Sequence, residues 1–219
     1  MRVGLVSDIH ANRIALDAVL DDMPPVDRLF CAGDVVGYNP WPAECLETVR
    51  ERGIPTVLGN HDRAVASDTA FRFNVMAKAG VEHARRELSD EQLDWLARLP
   101  EERTELDGRV KLVHGHPENP DHYTYPDEFS SDLLGEEELL VMGHTHVQAH
   151  AVYGTGIVCN PGSVGQPRDG DPRAGYAVVD LDNREVYERR VEYDVDRVIE
   201  AVSEAGLPER IGSRLREGR

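Results

Sequence analysis

Ser7-Asp8-Ile9-His10, Gly33-Asp34, Gly59-Asn60-His61-Asp62, His114-Gly115-His116 and Gly143-His144-Thr145-His146 each follow an apolar run. Their carboxylate, amide and imidazole groups are the donors a protein offers to divalent cations. Together they suffice for two ions, with a histidine left over that could move a proton. Such residues at the ends of so many apolar runs are poorly explained by packing. The chemistry they suggest is hydrolysis.

Taken one at a time, the clusters say less. An Asp-x-His reads as a helix cap or as side chains turned to water, and a Gly-Asp as a turn. Five in order change that reading. In open α/β sheets, loops from separate strands converge beyond the carboxyl ends of the strands. Asp8, Asp34, Asn60, His114 and His144 can therefore meet although they are spread along the chain. Asp34 offers a carboxylate able to bridge two cations. The mixed His/Asp/Asn donors suit Mn, Fe, Zn, Co or Ni better than Mg or Ca.

The elements that must position these groups can be read from apolar patterning. Arg2 to Ser7 is a first strand, and Asn12 caps a helix with Ile14, Leu16, Val19 and Leu20 on one face. Arg28 to Ala32 is a second strand, Ala43 to Arg52 a helix, and Pro55 to Leu58 a third strand. This rhythm implies parallel strands with right-handed crossovers. Helices follow over Asn74 to Leu88 and Asp90 to Leu99, the second capped by Ser89. Val110 to Val113 is a strand, and Pro117 to Ser130, with Tyr123, Tyr125 and Phe129, reads as a loop over a site. Further strands are expected at 139–142, 149–153, 157–159, 176–181 and 185–191, with Asn183 in the last hairpin turn. The tail from Val195 to Arg216 is helical, broken at Gly206-Leu207-Pro208.

The chain has 219 residues, room for one well-buried α/β domain and little for two. Aromatics are only 6% of it, so the core is expected to be Val, Leu, Ile and Ala, as suits a buried mixed sheet. No apolar run is long enough to span a membrane. The first strand leads directly to Asp8, unlike a signal peptide, and a cytoplasmic location is expected. Cys31, Cys45 and Cys159 are read as reduced, buried thiols. The net charge is -17, and Lys78 and Lys111 are the only lysines. That acidic, lysine-poor balance suits a halophilic setting and disfavours a nucleic-acid partner.

The ordered motif set, from Arg2 to about Val191, resembles the calcineurin-like metallophosphoesterase superfamily. The compact length and the Asn160-Pro161-Gly162-Ser163-Val164-Gly165-Gln166-Pro167-Arg168 stretch resemble its small YfcE-like phosphodiesterases. The resemblance implies a single domain over 1–219, an α/β fold in which two mixed β-sheets form an α/β/β/α sandwich, and a dinuclear metal centre. Carried over by motif, Asp8, His10 and His146 bind one divalent transition-metal ion, with Asp34 bridging. Asn60, His114 and His144 complete the second. Manganese is foremost, with Ni, Co, Fe or Zn also suited. His61 stands outside both coordination spheres as the general acid or transition-state donor, oriented by Asp62. His116 and Arg168 are candidates for touching substrate, and Tyr38 and Trp41 for lining the pocket.

The expected activity is hydrolysis of small phosphodiesters, nucleotide-derived ones included, by a hydroxide that the two metals activate. A phosphomonoesterase or protein phosphatase is the alternative among enzymes, and a non-catalytic interaction scaffold the alternative outside them. A homodimer through the tail helices or a sheet edge is also open.

Overall fold

The computed structural model describes residues 1–69 and 73–219. Strands β1 (Arg2–Val6), β2 (Arg28–Cys31), β8 (Ala174–Asp180) and β9 (Glu185–Val191) form one sheet in the order β2-β1-β8-β9. Strands β3 (Glu102–Glu105), β4 (Val110–Val113), β5 (Leu139–Val141), β6 (Ala149–Val152) and β7 (Ile157–Asn160) form a second, ordered β3-β4-β5-β7-β6. Both are mixed. β1 runs parallel to β2 and antiparallel to β8, while β4, β5 and β7 are mutually parallel with antiparallel edges.

Alternation along the strands explains the layers. Val3 and Leu5 of β1, Val110 and Leu112 of β4, and Ala177 and Val179 of β8 share one buried cluster between the sheets. On the other face of the first sheet, Val6 and Tyr176 pack with helices α1 (Arg13–Asp22) and α2 (Pro42–Glu51). Asn12 caps α1 by accepting from the Ala15 amide at 3.2 Å, as its side chain predicts. The outer face of the second sheet, at Leu140, Met142 and Val158, is covered by Phe129, Leu133 and Leu134. These come from the end of the 117–130 segment and two short 3-10 turns, Pro126–Glu128 and Ser131–Leu133.

The two-sheet α/β sandwich is the expected fold, with local differences. The third strand does not form. Pro55 and Val57 exchange two backbone hydrogen bonds with Cys31, and then Leu58 turns away to Pro100. The chain enters helix α3 (Asn60–Ser67) instead, so the Gly-Asn-His-Asp cluster lies on a helix N-terminus and not on a strand end. β3 was not anticipated, because Glu102-Arg103-Thr104-Glu105 has no apolar alternation. It is an edge strand, where charge protects against stray pairing.

Helices α4 (Val75–Glu87) and α5 (Asp90–Ala97) match the predicted pair, with Ser89 capping the second through the Gln92 amide. The tail forms α6 (Val195–Glu204), α7 (Glu209–Ser213) and a final 3-10 turn, and packs Val198, Val202 and Ile211 around Tyr38. In the β8–β9 turn the Asp180 carboxylate accepts from Asn183, while Arg184 carries the positive φ of 54°. The three cysteines are buried and unpaired. Among the described residues no helix is long and apolar enough to cross a membrane.

Candidate metal centre

The ligand-bearing loops are tied to one another by their own backbones. Asp8 and His10 amides donate to the carbonyls of Gly33 and Asp34, and the Gly165 amide donates to Asp8. Asp8, His10, Asp34, His144 and His146 all have φ between 46° and 68°. This left-handed region costs about 1–3 kcal/mol per non-glycine residue and is tolerated best by Asp, Asn and His. These five candidate donors, more than most of their neighbouring glycines, hold the unusual backbone. Gly59 and Gly143 serve close approach: a Cβ on Gly59 would stand 2.0 Å from Asp34 Oδ1, and one on Gly143 2.0 Å from Ser7 Oγ.

Each aspartate commits one oxygen to the main chain. Asp8 Oδ2 accepts from the His144 amide at 3.0 Å and Asp34 Oδ1 from the His61 amide at 2.8 Å. The other oxygens face the histidines. Asp8 Oδ1 lies 3.2 Å from His146 Nε2 and 3.7 Å from His10 Nε2, which are themselves 3.1 Å apart. Asp34 Oδ2 lies 3.6 Å from His10 Nε2 and 3.4 Å from His114 Nε2, and Asn60 Oδ1 is 3.2 Å from the latter. Two donor groups, Asp8/His10/His146 and Asp34/His114/His144, each have donor atoms within 4.8 Å of one another, and a third such group joins them through His10, Asp34 and His61. Asp34 reaches toward both of the first two.

The arrangement fits cations. Asp8 Oδ1 and His144 Nε2 are buried without a hydrogen-bond partner among the described residues, an expensive state for a polar atom. Outward nitrogens of His10, His146 and His114 meet the carbonyls of Val36 (3.2 Å), Gln166 (2.5 Å) and Ala32 (2.7 Å), which turns each Nε2 inward. Protonation agrees. Burial would raise Asp8 and Asp34, but neighbouring imidazoles (His146 for Asp8, His114 for Asp34) hold both carboxyls below their ordinary range. Burial pushes His10 well down and His144 to about 4. Burial also opposes a proton on His114, yet Asp34 overcomes it and lifts that imidazole to about 10. A cation at Asp34 would compete with that proton.

His61 is buried, its ring between Tyr38 (4.7 Å) and Phe73 (4.6 Å), and burial pushes it down to about 4. One of its nitrogens falls within 4.8 Å of donors from His10 and Asp34, so proximity alone does not set it apart from the ligands. Among the described residues no hydrogen bond joins Asp62 to the His61 ring, in contrast to the orienting role expected of it. Its carboxylate accepts from the amides of Val36 (3.1 Å) and Gly59 (3.2 Å), bracing the turn after Asp34 against the start of α3. Burial and then the Asp34 charge raise it to about 7.

The outer candidates divide. Arg168 stands beside the centre, its amide on the His146 carbonyl and its Nη2 donating to Gln166 Oε1 (2.6 Å) and Tyr38 Oη (3.2 Å). Tyr38 is itself at the centre, edge-on to His10 at 4.8 Å, whereas Trp41 packs among the tail helices. His116 is not brought in. Its Nδ1 accepts from the Glu118 amide, and the ring lines a separate cleft with Lys111 and Glu128. Sequence reasoning missed Phe73, and it missed that Tyr123 lies flat on His144, with ring centroids 3.8 Å apart and planes 22° apart. No spacing rule links residues so placed.

The chain is similar to known proteins. The chain is 33% identical to an uncharacterised protein of Methanocaldococcus jannaschii over 99% of its length and 98% of the relative's. It is 27% identical to phosphodiesterase YfcE of Escherichia coli, covering 83% of this chain and 89% of that one. The crystal structure of a metallophosphoesterase from Sphaerobacter thermophilus superposes with a TM-score of 0.83 at 36% identity, covering 100% and 99% of the two chains. The profile of the calcineurin-like phosphoesterase superfamily domain matches residues 1–184, the span that supplies both sheets' inner strands and every donor in the two groups. With that match and the full set of donors in place, the chain belongs to the calcineurin-like phosphoesterase superfamily.

Proposed function

We propose that this phosphoesterase is a phosphodiesterase acting on small phosphodiesters with two divalent metal ions. The observation that carries the reading is Asp34 Oδ2, 3.6 Å from His10 and 3.4 Å from His114, between two complete donor groups. Asp8, His10 and His146 would hold one ion, and Asn60, His114 and His144 the other, with Asp34 shared. The mixture of imidazole, carboxylate and amide suits manganese, with Ni, Co, Fe or Zn as further candidates. When bound, such a pair supplies Lewis acidity, bringing water's pKa near neutrality and offsetting charge on phosphoryl oxygens.

The remaining steps belong to the chain. His61, with Tyr38 and Phe73 against its ring, serves the departing alkoxide as general acid or, as a neutral imidazole, as hydrogen-bond donor in the transition state. The Asp62 carboxylate keeps the backbone of that helix start in place, and Arg168, anchored on Gln166 and Tyr38, offers its guanidinium to a phosphoryl oxygen. Similarity to YfcE supports the diester preference. An acidic balance of -17 supports small substrates over nucleic acids and a salt-rich setting.

Hydrolysis of bis-p-nitrophenyl phosphate and p-nitrophenyl phosphate, compared across Mn, Ni, Co and Mg, tests the reading. Faster diester turnover with Mn is expected. A monoester preference would make the protein a phosphatase, and no hydrolysis after metal loading would make it an interaction scaffold. Unfolding followed against KCl tests the salt setting, and equal stability at low and molar salt would reject it.

A further inference from the structure

Three rings run outward from the second donor group. Tyr123 lies on His144, and Tyr125 continues the series with its ring 6.3 Å from that of Tyr123 and inclined by only 18°. Yet Tyr123 and Tyr125 are 43% and 45% exposed, among the most exposed large apolar side chains described, while Thr124 between them is buried. In an extended stretch alternate residues share a face, so burying Thr124 sets both tyrosines on the same open side. Soluble proteins seldom leave neighbouring aromatic faces to water beside a polar centre without a use.

The pair is also fixed in place. A Cβ on Gly115 would stand 2.5 Å from the Pro120 carbonyl and 2.8 Å from that of His122, so the loop lies directly on the turn after His114. Asp121 pairs with Arg63 of α3, and Glu128 accepts from the Tyr125 amide at 2.8 Å. A preformed, rigid platform loses little entropy when a flat group lands on it.

We infer that Tyr123 and Tyr125 form a stacking platform for the base of a nucleoside phosphodiester, so that the protein's substrates are nucleotide esters from which a nucleoside monophosphate is released. This rests on the phosphodiesterase reading. The platform borders His144, whereas His61 adjoins Tyr38 and His10. The group held by the tyrosines is therefore the one retained on phosphorus, and the alcohol on the His61 side departs. The balance is simple: water adds to phosphorus, the P–O bond to that alcohol breaks, and the alcohol takes the proton. A flat heterocycle continues the ring series, and an aliphatic chain does not. Stacking of this kind is worth roughly 1–3 kcal/mol per base.

The test compares thymidine 5′-(p-nitrophenyl phosphate) with ethyl p-nitrophenyl phosphate, which share a leaving group. The wild-type protein should prefer the thymidine ester, and Tyr125→Ala should cut the ratio of their kcat/KM values about tenfold. Tyr125→Trp should restore it. Tyr125 is the variant of choice because Tyr123 contacts a metal-donor ring. An unchanged ratio in a folded Tyr125→Ala protein would overturn the platform, as would a wild type with no preference. Calorimetric binding of thymidine 5′-monophosphate against glycerol phosphate to the metal-loaded wild type gives an independent readout. Tighter nucleotide binding without hydrolysis of either ester would keep the platform and reject the phosphodiesterase, whereas hydrolysis with equal binding would do the reverse.

Discussion

The two donor groups of the centre are built alike in composition and differently in support. In the Asp8/His10/His146 group both imidazoles are fixed by main-chain carbonyls, those of Val36 and Gln166. In the other, His114 has the Ala32 carbonyl, but no hydrogen bond holds the His144 ring among the described residues. Its orientation depends on the face of Tyr123, a residue of a loop that is 43% exposed. The contrast teaches how differently two like donor sets can be held. A main-chain carbonyl fixes a ring by a directed hydrogen bond, and the face of a tyrosine holds one only by contact.

The largest effect should come from the residue the two groups share. Asp34→Asn removes the charge that faces His10 and His114 together, so both positions should lose affinity. Turnover should fall by more than the roughly 10²–10⁴-fold that a general acid contributes. Metal content measured on the purified variant checks this, and wild-type stoichiometry would show that the two groups do not depend on a common carboxylate.

His61→Ala sharpens the contrast from the first side. With the donor set intact, two ions should still load, while turnover of alkyl diesters drops about 10²–10⁴-fold and that of p-nitrophenyl esters much less. A variant that loses one ion instead would place His61 among the ligands, as its nearness to His10 and Asp34 allows.

The smallest of the three effects belongs to Tyr123→Leu. Loss of a ligand's supporting contact typically weakens metal binding by about 10–100-fold. That loss should appear in one step of a two-step calorimetric metal titration and leave the other in place. Equal weakening of both steps would erase the asymmetry between the groups.

Much of this was legible in the residues. The donors at Asp8, His10, Asp34, His114, His144 and His146 reach the centre because strand-end loops on one side of a sheet converge whatever the details of the strands, and Asn60 reaches it from the start of α3. Less legible was anything set by contacts between distant loops. Asp62 looked like a partner for its neighbour His61, but the helix that begins at Asn60 turns its carboxylate toward two backbone amides. His116, two residues from a ligand, follows the chain away into another cleft. Pro55 to Leu58 had a strand's composition, yet its pairing with β2 ends after two hydrogen bonds.

The sequence by itself determined the donor types, their order and the elements that carry them, since these follow from local patterning and from the cost of placing such groups anywhere else. Only the tertiary structure decided which carboxylate oxygen faces which imidazole, and that five of the candidate donors adopt left-handed backbone. It also decided that Tyr38, Phe73 and Tyr123 surround the centre with rings. Those outcomes depend on loops far apart in the chain meeting at fixed distances, and no local rule encodes a distance between segments that only the packed sheets bring together.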